Sequence, residues 1–288
     1  MKGSAEMMHM PREFDSDFEV EADVVIVGAG PGGSAAAYEL TRLGRKVVVL
    51  EMGGAYVPSD FNRNGTRALK NLYQDSGMRL THGNSFFVTM FGKGVGGGSL
   101  VNSGISFRPP DKAVRRWADE GGLREFTPEK LKPYVDKVES IVPIEVKAIE
   151  DLGRNNIVFK DGLEKLSYKG GVIPRNTQGC QACGICFYGC PSGAKQSVDK
   201  NFMALAVEGG AEVYTYARVM GVETDSGGKV FQSLFAVIHD PDTGKPRSRM
   251  TVKARHLILA AGAVGSAQLL LKEGLANSSG QVGRKGMG

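Results

Sequence analysis

The sequence predicts an α/β fold in which a Rossmann-like parallel sheet with crossover helices continues into a β-meander. Three observations predict it. An apolar, β-branched run from Ala22 to Val27 leads directly into Gly28-Ala29-Gly30-Pro31-Gly32-Gly33. A second glycine cluster, "FGKGVGGGSLVNSGISFRPP", spans Phe91 to Pro110. A later apolar run, Leu257 to Ala260, enters a further glycine turn at Ala261-Gly262-Ala263.

The first segment has a defined logic. Ala22 to Val27 reads as a strand buried on both faces, which suits a parallel sheet. Ser34 to Leu43 reads as a helix with small residues toward the sheet, and Lys46 to Leu50 as the second strand. Gly28 permits the tight turn out of the strand, Gly30 lets backbone N–H groups approach a pyrophosphate, and Gly33 lets the helix pack closely. Gly32 belongs to the same turn, and the phosphates are expected on the positive end of the helix. Glu51, eighteen residues past Gly33, is expected to accept hydrogen bonds from an adenosine ribose, and an acid there disfavours a 2′-phosphate.

Five glycines within seven positions (Gly92, Gly94, Gly96, Gly97 and Gly98) exclude a regular helix or strand and suit a loop laid against a ligand. Ser99 and Asn102 add polar groups, and the resumption as apolar "SLVNSGISF" argues against a linker. Farther on, Asp111 to Asp119 reads as a short amphipathic helix with Trp117 as core packing. Thr127-Pro128-Glu129 supplies a cap, a first-position proline and an acid for a helix to about Ser140. "AEVYTYARVMGVETD" and the strands to His239 read as the meander, and Gly265 to Leu271 opens the last helix. Residues 55–90 are aperiodic.

Composition narrows the function classes. The chain has 288 residues, 41% hydrophobic and 23% charged, and 40 glycines, about twice the usual share of roughly 7%. The net charge of +5, from 36 Lys and Arg against 31 Asp and Glu, is spread along the chain and argues against nucleic-acid binding. No apolar run approaches the ~20 residues that span a bilayer. The first twenty residues carry no signal-peptide pattern and are expected to form a disordered tail. The expectation is a soluble, cytoplasmic protein.

All four cysteines lie in "CQACGICFYGCP": Cys180, Cys183, Cys186 and Cys190. The C-x2-C-x2-C-x3-C-P spacing is that of a bacterial ferredoxin loop, but no second cysteine set accompanies it. Three readings stay open: an iron–sulfur cluster, free thiols or disulfides around a turn, and zinc, for which the run is compact.

Three blocks together resemble the glucose–methanol–choline (GMC) family of FAD-dependent oxidoreductases, in particular its cholesterol-oxidase-like members. They are "DVVIVGAGPGGSAAAYELTRLGRKVVVLE", "GKGVGGGSLVNSG" and "ARHLILAAGAVGSAQLLLKEGL". The resemblance implies a Rossmann-like FAD/NAD(P)-binding domain over 21–288, with a lid-like loop at 55–90, a flavin loop at 91–108 and a Cys-rich loop at 178–197. It implies that the second block wraps the flavin and its pyrophosphate, that the backbone at Val219 contacts the adenine, and that Ala261 and Gly262 turn beneath the flavin end. Ala267 and Glu273 stand where many members have proline and serine. A Cys-rich segment followed by "GAKQS" resembles that of long-chain alcohol oxidase-like and dehydrogenase-type members, some of which carry electrons out of the flavin through a cluster.

By the same resemblance, the substrate-binding part and its catalytic histidine are absent from this chain. His9, His82, His239 and His256 have no matching context, and His82, just before the flavin loop, reads as structural. The expected function is therefore the FAD-binding portion of an enzyme that oxidises a CH–OH group of an alcohol or sterol by hydride transfer to FAD. Electrons would leave to oxygen, to a redox partner, or through a cluster at the cysteine loop. The alternative is a non-catalytic flavin or electron-transfer subunit that needs a second polypeptide.

Overall fold

The computed structural model describes residues 7–82 and 86–284. In chain order, the elements begin with strands β1 (Met8–His9) and β2 (Phe18–Val27), helix α1 (Pro31–Arg42) and strand β3 (Val47–Leu50). Helix α2 (Gly65–Leu72), strands β4 (Arg79–Leu80) and β5 (Val88–Thr89), and helices α3 (Asp111–Glu120), α4 (Pro128–Ile141) and α5 (Arg154–Lys165) follow. The chain then forms α6 (Phe202–Glu208), β6 (Glu212–Tyr214), β7 (Ala217–Thr224), β8 (Phe231–His239), β9 (Pro246–Leu259) and α7 (Gly262–Glu273).

Seven strands make one sheet in the order β1-β6-β3-β2-β9-β8-β7. β2 pairs in parallel with both β3 and β9, and β3 with β6. The long β9 serves two purposes. Its first part pairs antiparallel with β8, closing the β7–β8–β9 meander, and its second part runs beside β2 in the parallel sheet. This is the predicted α/β architecture. The strand alternation buries both faces, as a parallel sheet requires. Val24, Ile26, Val47 and Val49 face Ala37 of α1 and Met203 and Ala206 of α6. Val25, Val27, Val48 and Leu50 face Leu234, Ile238, Met250 and Val252 of the meander.

Several expectations need correction. Residues 7–20 are built into the fold rather than forming a tail: β1 adds beside β6, and the His9 ring stacks on Tyr214 at 4.4 Å between centroids. Short strands gain their order from such tertiary pairing, which local composition does not report. Residues 1–6 of that expected tail, and 83–85 of the expected lid, lie outside the described residues. The segment 55–90 contains α2, which the Asn64 side chain caps through the Arg67 N–H at 3.0 Å, and the β4–β5 hairpin. The second glycine cluster tightens into a 3₁₀ turn at Gly97–Leu100. Trp117 is 42% exposed; α3 buries only Val114. The Thr127 cap forms as predicted, accepting from the Lys130 N–H at 3.3 Å.

Candidate functional site: the meeting of three glycine turns

The three glycine segments, far apart in sequence, meet at the carboxyl ends of β2, β3 and β9, where ligands bind in open α/β sheets. Gly28 leaves β2 by donating its N–H to Leu50 O at 2.8 Å, and Ala260 N donates to Val27 O at 2.8 Å. That pair of bonds brings Ala261, the N-cap of α7, and Gly262, its first residue, beside the β2–α1 turn. The closeness of the packing explains Gly33: a Cβ there would sit 1.9 Å from Gly28 O and 3.3 Å from the Ala260 Cβ.

The second loop joins the same point. Gly96 N donates to Ala29 O at 2.9 Å, and Gly97 N to Gly94 O at 2.8 Å. Gly97 has φ +52°, and a Cβ on it would lie 2.8 Å from the Gly30 Cα. Gly30 and Gly97 therefore set the two loops back to back. The N–H groups of Gly30, Gly32, Gly33 and Gly98 have no hydrogen-bond partner among the described residues, and a Cβ at Gly32 or Gly98 would meet nothing within 4 Å. Free N–H groups at the start of a 12-residue helix form a positive, glycine-lined surface suited to a phosphate anion.

Glu51 is buried at the centre of this arrangement, 5% exposed. Its Oε2 accepts from Ala29 N at 3.0 Å, and its Oε1 from Gly53 N at 2.9 Å and Gly94 N at 3.0 Å. Burial pushes the carboxyl up from its ordinary value, against the downward pull of those three N–H donors and of Lys93. The sequence assigned Glu51 to a ribose; the structure gives it a second task, tying the first glycine turn to the second. Ser99 is also structural here: its hydroxyl donates to Gly96 O at 2.6 Å and accepts from Val198 N at 3.1 Å. Asn102 is exposed, with its side-chain oxygen accepting from Gly104 N at 3.1 Å. Val219 lies on β7 at a register irregularity and packs against the meander core.

A cleft of about 1060 Å³ lies nearby, reaching Met52 and Lys93, although none of the turn glycines lines it. It is walled in part by Met52, which follows Glu51, by Arg218, which precedes Val219, and by Arg67, Lys70 and Tyr216. Arg67, Lys70 and Arg218 form no ion pair among the described residues. Asp60, Asp240 and Asp242 line the same cleft, so its charge is mixed.

The cysteine loop does not form a ligand set. Cys180, Cys183, Cys186 and Cys190 are free and half-buried, and no three His, Cys, Asp or Glu residues gather to hold a metal among the described residues. Each of three sulfurs is engaged separately. Cys180 Sγ accepts from Ala182 N at 3.4 Å, Cys186 Sγ from the Arg175 guanidinium at 3.1 Å, and Cys190 Sγ from Lys195 N at 3.3 Å. Left-handed turns at Ala182, Gly184 and Gly189 spread the thiols along the loop. Burial alone would raise the Cys190 thiol, but the Lys195 and Ala194 N–H groups, the Ser192 hydroxyl and the Lys195 charge hold it below its ordinary value. As placed among the described residues, the thiols do not converge into a ligand set for an iron–sulfur cluster or zinc.

Sequence reasoning missed Arg175 and Lys195, which face the second glycine loop from the cysteine side. Lys195 is 2% exposed; the only trace of it in the sequence is its place in "GAKQS". Asp199 was also missed. Its Oδ1 is buried with no partner, a Cβ on Gly96 would lie 3.1 Å from it, and burial pushes the carboxyl up.

A family model described as GMC oxidoreductase matches residues 69–285, and one described as an NAD(P)-binding Rossmann-like domain matches residues 26–93. The chain belongs to the GMC oxidoreductase family. As a GMC oxidoreductase it resembles a long-chain-alcohol oxidase of Arabidopsis thaliana, 30% identical over 282 residues, covering 96% of this chain and 37% of the relative. An uncharacterized GMC-type oxidoreductase of Mycobacterium tuberculosis is 34% identical over 262 residues, covering 91% and 40%. A cholesterol oxidase of Mycobacterium tuberculosis is 28% identical over 287 residues, covering 87% and 47%. The chain thus spans less than half the length of each of these relatives. Among solved structures, pyridoxine 4-oxidase from Mesorbium loti superposes with a TM-score of 0.67 at 19% identity, covering 88% of this chain and 52% of that one. Aspergillus oryzae formate oxidase superposes with a TM-score of 0.65 at 16% identity, covering 89% and 48%. Both show the shared fold. No helix among the described residues is long and apolar enough to cross a membrane.

Proposed function

We propose that this chain is the FAD-binding portion of a GMC oxidoreductase that oxidises the CH–OH group of an alcohol or sterol. One observation carries the reading: the open N–H groups of Gly30, Gly32 and Gly33 at the start of α1, set against the Gly97–Gly98 turn. That cradle suits the pyrophosphate of FAD, with the adenosine toward Glu51, Met52 and Val219 and the flavin toward Gly98, Asn102 and Ala261. Bound there, FAD supplies a hydride acceptor for the carbinol carbon. The chain's own residues bind and orient it: α1 and the glycine turns meet the phosphates, and Glu51 keeps both turns in register. The relatives named for alcohol and cholesterol oxidation support the substrate class.

The base that takes the hydroxyl proton is assigned to polypeptide outside these 288 residues. His9 is held by Glu13 and Tyr214, and His239 by Val237 O at 3.0 Å. His82 and His256 are exposed, and His239 lines the cleft rather than the converging glycine turns among the described residues. A further observation favours additional polypeptide, joined or separate: α7 carries six apolar residues in "GAVGSAQLLLKE" beyond its glycines, yet none is buried, and Leu271 is 50% exposed. The subunit reading keeps the same flavin site and differs only in where the remaining part resides.

The test is a titration of the purified chain with FAD, FMN and NADP, followed by flavin fluorescence or competition. One FAD per chain, weakened by ADP and not matched by FMN, is the expected result. FMN binding as well as FAD would remove the adenosine–pyrophosphate assignment, and binding of none would remove the function. With FAD bound, the isolated chain should show no steady alcohol oxidation; robust turnover would show that a base lies within it.

A further inference from the structure

The cysteine loop gathers no ligand set among the described residues, yet it is knit tightly to the second glycine loop. The Lys195 side chain passes between the two. Its Nζ donates to Leu100 O at 2.6 Å and Asn102 O at 2.8 Å on one side, and to Cys186 O at 2.9 Å on the other. All three donors of the ammonium are used. Lys195 forms no ion pair within 4 Å among the described residues, and its burial pushes it down to about 8. Arg175 repeats the pattern one step along, donating to Ser103 O through Nε at 2.8 Å and to Cys186 Sγ at 3.1 Å. Backbone bonds extend the contact: Asn176 N donates to Gly104 O at 2.8 Å, and Ser106 N to Pro174 O at 3.0 Å.

A buried cation without a counter-ion is costly unless its hydrogen bonds are complete. An apolar side chain would fill this space without that cost, so the charge calls for an explanation in the carbonyls it holds. In a trans peptide the C=O and N–H point to opposite sides. With Asn102 O turned to Lys195, the Ser103 N–H points away from it, and no described residue accepts that N–H. Leu100 O, Asn102 O and Ser103 O are all drawn toward the cysteine loop; of the N–H groups in the same peptide units, Val101 N donates to Gly98 O at 3.2 Å and Gly104 N to Asn102 Oδ1 at 3.1 Å, which leaves the Ser103 N–H open.

We propose that Lys195 is a positioning residue that, with Arg175 beside it, braces residues 100–104 against the cysteine loop. It fixes the peptide planes that face the flavin and places a positive charge behind them. The inference rests on the FAD reading above. The cysteine loop is then a brace for the flavin loop, and its thiols need carry no electrons.

The test compares the wild-type chain with Lys195→Met, which keeps the length and removes the donors and charge, and Lys195→Arg, which keeps the charge. Lys195→Met is expected to weaken FAD binding about tenfold or more, the scale of a lost charged hydrogen bond. It should also shift the flavin midpoint potential to a more negative value, because a nearby cation favours the anionic reduced flavin. Lys195→Arg should recover most of the potential. Without FAD, Lys195→Met should open residues 94–104 to proteolysis. A folded Lys195→Met chain with wild-type FAD affinity and potential overturns the brace. If that variant does not fold, Arg175→Gln tests the same contact from Ser103, and wild-type affinity in a folded Arg175→Gln chain overturns it equally. A wild-type chain that binds no FAD refutes the function reading instead, so the two failures are distinct.

Discussion

Replacing Glu51 with glutamine should loosen the junction of the two glycine loops. Glu51 Oε1 accepts from Gly53 N and Gly94 N, and Oε2 from Ala29 N. A glutamine can keep its oxygen on the Gly53 and Gly94 side, but its NH₂ then faces the Ala29 N–H, donor against donor. Ala29 is fully buried, so water does not replace the lost acceptor. A lost charge-assisted bond and a buried, unpaired N–H together cost roughly 3 kcal/mol. Relief of the buried charge returns part of that, leaving a net loss of about 2 kcal/mol. At about 2–4 °C per kcal/mol for a chain of this size, the midpoint of thermal unfolding should fall by roughly 4–8 °C. Circular dichroism at neutral pH measures this, with the exposed Glu120→Gln as a control. FAD affinity should fall with it, about tenfold. A Glu51→Gln chain melting within ~1 °C of wild type, where charge-assisted bonds count for ~1.5–3 kcal/mol, would refute the tie between the loops.

Gly30→Ala and Gly33→Ala should separate binding from folding. A Cβ on Gly30 meets only the Gly97 Cα at 3.8 Å, so that variant should fold and lose FAD affinity, whereas a Cβ on Gly33 would overlap Gly28 O at 1.9 Å and should prevent soluble folding; solubility and FAD titration check both. Burial holds the Glu51 carboxyl above its ordinary value, so the native state retains a proton over a pH range where the unfolded state has lost it. Stability from this group is therefore fullest below about 4.5 and is lost as pH rises through the folded value. Wild type should accordingly gain stability relative to Glu51→Gln on acidification from neutral pH, and a pH-independent difference in denaturant midpoint would contradict this. Reduced, native chain should titrate four thiols with an aromatic disulfide reagent and retain no stoichiometric iron after anaerobic purification; bound iron near four per chain, the content of a [4Fe–4S] cluster, would reverse the reading of the cysteine loop.

The parallel sheet and its three glycine turns were legible in the sequence because each is a local pattern with a steric cause. Val24 to Gly33 carries strand, turn and close packing in consecutive residues, and the structure places them as read. The link between turns was not legible. Glu51 bonds to Gly94 across 43 residues and Lys195 to Leu100 across 95, and no local pattern reports such a contact. β1 was missed for the same reason, since its two residues gain their order only from β6. The cysteine spacing is a different case. A ligand motif fixes the order of the thiols but not their convergence, and here Arg175 and Lys195 engage Cys186 and Cys190 one at a time.

Hydrogen exchange of the chain with and without FAD tests the central claim most directly, because it reports where the dinucleotide sits as well as whether it binds. The account predicts that FAD slows exchange at the N–H groups of residues 28–34, 51–54 and 94–104, with α5 and the β4–β5 hairpin unchanged. Protection confined to other segments, or none at saturating FAD, would contradict it.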